Sequence, residues 1–265
     1  MLIVNADDLA MTPGANAGIF KGYDEGLITH ASIMANCDYF DEAIDGLQKR
    51  EELGLGMHLN LTYGNSLTKN PLISNEKGEF NLGYKDLLLT KNSAFLEAIE
   101  GEWEAQILRV INATNRKLTH IDSHRHIHLI PHLYPIAIKL AKKYEINRVR
   151  LVKEGIFNSL ALTKRANFIL NGGIIKYSLL RSFSIIDAKY EDFYKNINFY
   201  SILYTGVVSK EILQKLKNSS KIYEIMVHPS IIELDKDVYF YDKAEKAYRV
   251  SEDRVKELEA VLLDA

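Results

Sequence analysis

Thr119-His120-Ile121-Asp122-Ser123-His124-Arg125-His126-Ile127-His128 carries four of the chain's eight histidines, and His132 follows as a fifth. Two backbones compete for this stretch. Wound as a helix, it sets His120, His124, His128 and His132 four apart on one face, a spacing that can grip one metal ion. Drawn out as a strand, it turns His120, Asp122 and His124 to one side. Leu118, Ile121 and the Thr119 hydroxyl favour the strand, a Thr-Asn-Arg-Lys loop precedes it, and Pro131 is better placed to open a helix than to continue one. The expectation is a short buried strand ending near Ser123, delivering an acid and an imidazole at its carboxyl end, where barrel enzymes keep their chemistry.

Outward from that strand, other apolar runs end in the same kind of residue. Leu2 to Ala6 closes on Asp7 and Asp8, and Thr12-Pro13-Gly14 opens a helix through about Tyr23. Two adjacent carboxylates at a strand end are costly unless something uses their charge. On an extended chain they diverge, so one can ligate a cation while the other stands free as a base. Leu53 to Leu61 contains His58 among apolar residues, with Gly54 and Gly56 small enough to let other backbone come close. Ile222 to Val227 runs into His228-Pro229.

Further strands are expected at Thr29 to Asn36, Arg148 to Val152, Ser182 to Asp187 and Phe199 to Thr205, which makes about eight in all. Between them lie helices at Asp38 to Arg50, Ser93 to Asn115, Pro131 to Tyr144, Glu191 to Asn196, Lys210 to Leu216 and Ser251 to Leu263. In the Ser93 to Asn115 stretch, Phe95, Ile99, Trp103, Ile107, Val110 and Ile111 trace an apolar face. Tyr63 to Leu89 reads as a long loop of the kind that faces substrate. Lys153 to Leu180 reads as two helical pieces broken at Gly172-Gly173. Strands alternating with helices imply an α/β fold with mostly parallel strands, closed into a distorted (β/α) TIM-like barrel over residues 1–265 as a single domain.

Composition bounds the partners. The chain has 265 residues, 47% hydrophobic and 26% charged, enough for one sizeable core. A net charge of -2 gives no basic footprint for nucleic acid. No apolar run approaches the roughly 18 residues of a spanning helix. The start, Met1-Leu-Ile-Val-Asn-Ala-Asp-Asp8, does not read as a signal peptide. Cys37 is the only cysteine, so no internal disulfide forms, and the expected location is cytoplasmic.

Asp8, His58 and His124 together would offer one carboxylate oxygen and two imidazole nitrogens, leaving coordination positions open for water and substrate, the mark of a catalytic metal site. Asp7 would take a proton and His228 would donate one to a leaving group. Asp122 and His126 would orient the ligating imidazoles. Such a donor set admits zinc, manganese or magnesium.

The same residues carry a resemblance. Asn5-Ala-Asp-Asp-Leu9, Asn16-Ala-Gly-Ile19, Gly56-Met-His-Leu-Asn-Leu-Thr62, Thr119 to His128 and Val227-His-Pro229 resemble the motifs of YdjC-like carbohydrate deacetylases, the group that includes chitooligosaccharide deacetylase. The resemblance implies a distorted (β/α) barrel, a divalent ion that is commonly magnesium, and removal of an N-acetyl group from an amino sugar or oligosaccharide. It makes Asp8, His58 and His124 the metal ligands, Asp7 the base and His228 the acid, and it implies a homodimer. Leu9-Ala10 stands where the family usually has an aromatic residue and a glycine. Arg125 replaces a more usual glutamine or histidine, and Ser182 to Thr205 matches poorly. Two rivals remain: a sugar-binding or regulatory barrel without turnover, for which Ala10 and Arg125 speak, and a non-haem iron oxygenase using the same two histidines and carboxylate.

Overall fold

The computed structural model describes residues 1–163, 173–193, 196–203, 205–206 and 208–263. Six parallel strands form one sheet in the order β4-β3-β2-β1-β6-β5. They are β1 (Leu2–Leu9), β2 (His30–Ile33), β3 (Gly54–Leu59), β4 (His120–Ser123), β5 (Asn198–Tyr200) and β6 (Tyr223–Val227). The chain between β4 and β5 draws the sheet into a distorted barrel. Ile121 donates its N–H to the Arg148 carbonyl (2.8 Å) and accepts from Arg150 N (2.9 Å), while Phe199 N donates to the Lys153 carbonyl (3.3 Å). Residues 148–153 thus touch both edges of the sheet.

Helices cover the outside: α1 (Pro13–Asp24), α2 (Phe40–Gln48), α3 (Tyr84–Leu89), α4 (Ser93–Thr114), α5 (Tyr134–Lys143), α6 (Ile156–Thr163), α7 (Gly173–Asp187), α8 (Lys210–Lys217), α9 (Lys243–Arg249) and α10 (Glu252–Val261). α1 starts where Thr12 accepts from Ala15 N (3.0 Å), with Pro13 at the first helical position, where no N–H is needed. α4 buries Phe95, Ile99, Trp103, Ile107 and Val110, a stripe at helical spacing. Each such side chain contributes about 1.5–3 kcal/mol by leaving water. No described helix is long and apolar enough to cross a membrane.

Three expectations on elements are corrected. Ser182 to Asp187 is the end of α7, not a strand: Leu180, Ser184 and Asp187 are buried while Ile185 and Ile186 are exposed, a helical periodicity that the β-branched residues had masked. Arg148 to Val152 makes one parallel bridge, Val149 to Ile121, in place of a regular strand. The strand begun at Phe199 stops at Tyr200, because Ser201 takes φ 106°. The described residues therefore hold six regular strands, with the 148–153 segment where another was expected. The Tyr63 to Leu89 loop closes with the short α3; of the Glu191 to Asn196 helix, residues 191–193 end a 3₁₀ turn over Ala188–Phe193, and residues 194–195 lie outside the described residues. Part of the Lys153 to Leu180 reading lies outside the described residues.

The barrel interior is polar. Asn5 Nδ2 donates to Ser32 Oγ (2.8 Å), Ser32 donates to Asp122 Oδ2 (2.7 Å), and His120 Nε2 lies 3.0 Å from the same Ser32 Oγ. Gly54 and Gly56 make room for side chains, not for backbone as expected: a Cβ on Gly54 would run into the His30 ring, and one on Gly56 into the His120 ring.

Candidate active site

The two adjacent acids do not diverge. Between the pairs Ala6↔Ala31 and Leu9↔Ile33, β1 carries one residue more than β2, a bulge in which Asp8 adopts φ 70°. Aspartate tolerates that left-handed conformation better than most residues. The bulge cancels the strand's alternation, and Asp7 and Asp8 both line a cavity of about 280 Å³ at the carboxyl ends of the strands. Ala10 also sits at φ 78°, where the resemblance expects glycine.

Asp8 Oδ1 is the meeting point. His124 Nδ1 lies 3.0 Å from it and His58 Nε2 lies 3.2 Å from it. The three donor atoms fall within 4.8 Å of one another, and all three residues are buried. The site juxtaposition expected from sequence is therefore present. Asp7, His58 and Asp122 also meet within that distance. Their carboxylates, however, share one guanidinium: Arg150 donates from Nη1 to Asp7 Oδ2 (2.6 Å), from Nη2 to Asp7 Oδ1 (2.8 Å), and pairs through Nη2 with Asp122 Oδ2 (2.6 Å). Arg150 thus occupies both oxygens of Asp7 and one of Asp122, whereas Asp8 gives one oxygen to Arg249 and leaves Oδ1 facing imidazoles.

Charges of both signs surround Asp8. Burial works against charge on His58, but Asp122 at 2.7 Å from Nδ1, together with Asp8 and Asp7, outweighs it, and the pKa is pushed up to about 10. The His58 ring thus stands between the carboxylates of Asp8 and Asp122. Burial also opposes ionisation of Asp8, yet Arg249 and the two histidines hold its carboxyl well below the usual carboxylate range. Burial lowers the pKa of His124, keeping it neutral and able to ligate. One carboxylate and two imidazoles, one of them oriented by its own carboxylate, fit a divalent ion.

The remaining expected residues fall as follows. Asp122 Oδ1 lies 2.7 Å from His58 Nδ1. His126 does not orient either ligand: Arg125 and His126 both take left-handed φ (55° and 56°), which turns the His126 ring toward the cavity and 6.4 Å from Phe199. Asp7 does not stand free, since Arg150 grips both its oxygens and Asn5 Nδ2 donates to Oδ1 (2.7 Å). His228 reaches the cavity with Nε2 3.7 Å from Asp8 Oδ2, and its backbone N–H donates to Glu257 (2.7 Å). Of the five clustered histidines, all among the described residues, His124 alone belongs to a group that could hold a metal ion. His120 serves the Ser32 network, and His128 bridges Ser123 and the Arg150 carbonyl (3.0 Å from Nε2).

Sequence reasoning missed Arg150, Glu224, Glu245 and Arg249. Arg150 Nε donates to Glu224 Oε1 (2.7 Å), and Arg148 pairs with the same carboxylate. Two arginines alternating in a run expected to be a barrel strand were the available signal. Arg249 donates from Nη2 to Asp8 Oδ2 (2.7 Å) and from Nε to Glu245 Oε1 (2.8 Å). A larger surface hollow of about 710 Å³, between α8 and α10, gathers no comparable donor set among the described residues.

Fold and geometry define a distorted (β/α) barrel in which an Asp-His-His set that could hold a cation lies beside an arginine-paired aspartate. The chain belongs to the YdjC-like protein family, whose profile matches residues 1–265. It is 32% identical to a carbohydrate deacetylase of Halalkalibacterium halodurans over 88% of this chain and 86% of that one. It is 40% identical to a carbohydrate deacetylase of Brevibacillus brevis over 146 residues, spanning 55% of this chain and 57% of that protein's length. The crystal structure of a putative cellobiose-phosphate cleavage protein from Enterococcus faecalis shares the fold, with TM-score 0.61 and 22% identity over 99% of this chain and 96% of that one.

Proposed function

We propose that this barrel, acting as one domain over residues 1–265, is a cation-dependent hydrolase that removes the N-acetyl group from an amino sugar or oligosaccharide. The observation that carries this is the convergence of Asp8, His58 and His124 within 4.8 Å, beside Asp7 and His228 in one cavity. The relatives named carbohydrate deacetylase support the substrate class.

Asp8, His58 and His124 would hold a divalent ion, which when bound polarises a carbonyl oxygen and eases deprotonation of water. Asp7 accepts the proton of the water that attacks the acetyl carbonyl carbon. Arg150 and Asn5 fix the Asp7 carboxylate, so proton acceptance uses the lone pairs they leave. As the C–N bond breaks, His228 delivers a proton to the departing amine, and acetate and a free amino sugar leave. Two imidazoles and a carboxylate suit zinc or manganese as well as the magnesium that the resemblance implies.

Acetate release from N-acetylated oligosaccharides, compared between wild type and Asp7→Asn with cation binding measured in both, tests the assignment. Loss of about 10²–10⁴-fold in turnover with cation affinity kept is expected for a missing general base. Equal turnover would remove Asp7 from the reaction, and no acetate from any N-acetylated sugar would remove the activity.

A further inference from the structure

Each cation donor has a fixed partner behind it except one. His58 turns Nε2 to the site and Nδ1 to Asp122 (2.7 Å). Asp8 turns Oδ1 to the site and Oδ2 to Arg249 (2.7 Å). His124 turns Nδ1 to the site, and its Nε2 is buried without a hydrogen bond. Glu245 Oε2 lies 3.9 Å from that nitrogen. Glu245 is itself buried, with Oε1 accepting from Arg249 Nε (2.8 Å) and Oε2 from Arg125 Nη2 (3.2 Å). An i,i+4 spacing sets Glu245 and Arg249 on one face of α9, so a single short helix stands behind two of the three donors.

We infer that Glu245 is the positioning residue for His124, accepting its Nε2–H when Nδ1 ligates a cation, with Arg249 and Arg125 holding the carboxylate in place. Closing 3.9 Å to hydrogen-bond range takes a movement of about 1 Å. Carboxylate partners of this kind fix the tautomer and ring orientation of ligating histidines. The inference rests on the cation reading of Asp8, His58 and His124. It also gives Arg125, where the resemblance expects another residue, a place in the site's support.

Titration of the cation-free protein with Mn²⁺, followed by the electron paramagnetic resonance of the free ion, tests it. Wild type takes up Mn²⁺, and Glu245→Gln weakens that uptake about 10–100-fold, as does Asp122→Asn, the comparison for His58. With Co²⁺ bound, the visible spectrum of Glu245→Gln shifts from that of wild type, which a merely structural role would not cause. Affinity within about twofold of wild type and an unchanged Co²⁺ spectrum overturn the role of Glu245 and leave the cation reading standing. No uptake by wild type overturns both. Should the variant fail to fold, long-range ¹⁵N–¹H spectra of the wild-type protein loaded with Zn²⁺ decide: His124 protonated on Nε2 is expected, and protonation on Nδ1 overturns the inference.

Discussion

His58 and Asp122 meet with Nδ1 2.7 Å from Oδ1 and both side chains shielded from water. In the cation-free protein this pair makes stability depend on pH. The His58 pKa stands at about 10 in the folded chain against an ordinary 6.5. A raised histidine pKa contributes stability that is complete below 6.5 and is lost as pH rises through 10. Thermal melts in chelator should therefore fall across that window, and Asp122→Asn should flatten the decline. A melt that does not change with pH between those values would contradict the pairing.

Cation binding should replace that proton. A divalent ion held by Asp8, His58 and His124 binds the folded chain and not the unfolded one, so ion at about 100 times its Kd should raise unfolding free energy by about 2.7 kcal/mol. Calorimetric melts with Mg²⁺, Mn²⁺ and Zn²⁺ rank the metals, and chelation should reverse the gain. Asp8→Asn should abolish it while Asp7→Asn leaves it in place. Equal gains in the two variants would move the cation away from Asp8.

Three of the strands that carry the site, β1, β3 and β6, were legible as apolar runs that reach an acid or histidine at or near their carboxyl ends, and β4, His-Ile-Asp-Ser, by the histidines clustered on it and after it. That signal survives without knowledge of the neighbours. The partners were not legible for different reasons. α9 is short and polar, Lys-Ala-Glu-Lys-Ala-Tyr-Arg, and reads as a solvated helix until folding brings Glu245 and Arg249 against Asp8 and His124. The bulge that aims both Asp7 and Asp8 inward depends on φ 70° at Asp8, and nothing in an Asp-Asp pair announces a positive φ. Ser182 to Asp187 misled because its isoleucines carry β propensity while its buried positions recur at helical spacing.

Arg150 should be the most damaging single loss. It compensates Asp7, Asp122 and Glu224 at once, through 2.6–2.8 Å contacts, and is fully buried. Arg150→Met leaves three carboxylates without that countercharge, and stranding a buried ionic partner costs about 3–5 kcal/mol. Arg150→Lys keeps a charge but not the fork that spans two carboxylates, so it should recover only part of the loss. Urea denaturation of the three proteins checks the order, and a loss under about 1 kcal/mol for Arg150→Met would show that the network is not compensated as described.

Gly56 should tolerate no side chain while His120 keeps its place. The two residues are register partners on β3 and β4, and a Cβ at Gly56 would lie 2.2–2.6 Å from three atoms of the His120 ring. The ring cannot simply swing aside, because its Nε2 lies 3.0 Å from Ser32 Oγ, which also serves Asp122, the partner of His58. Overpacking of this kind costs about 1–3 kcal/mol. Gly56→Ala should also weaken cation binding, since the displacement passes through Ser32 and Asp122 to a ligand. In the double variant Gly56→Ala/His120→Ala the clash disappears, so its loss of stability should fall short of the sum of the two single losses by about 0.5–3 kcal/mol, the range for residues in direct contact. Strict additivity in that cycle would mean that the glycine is not there to seat the imidazole.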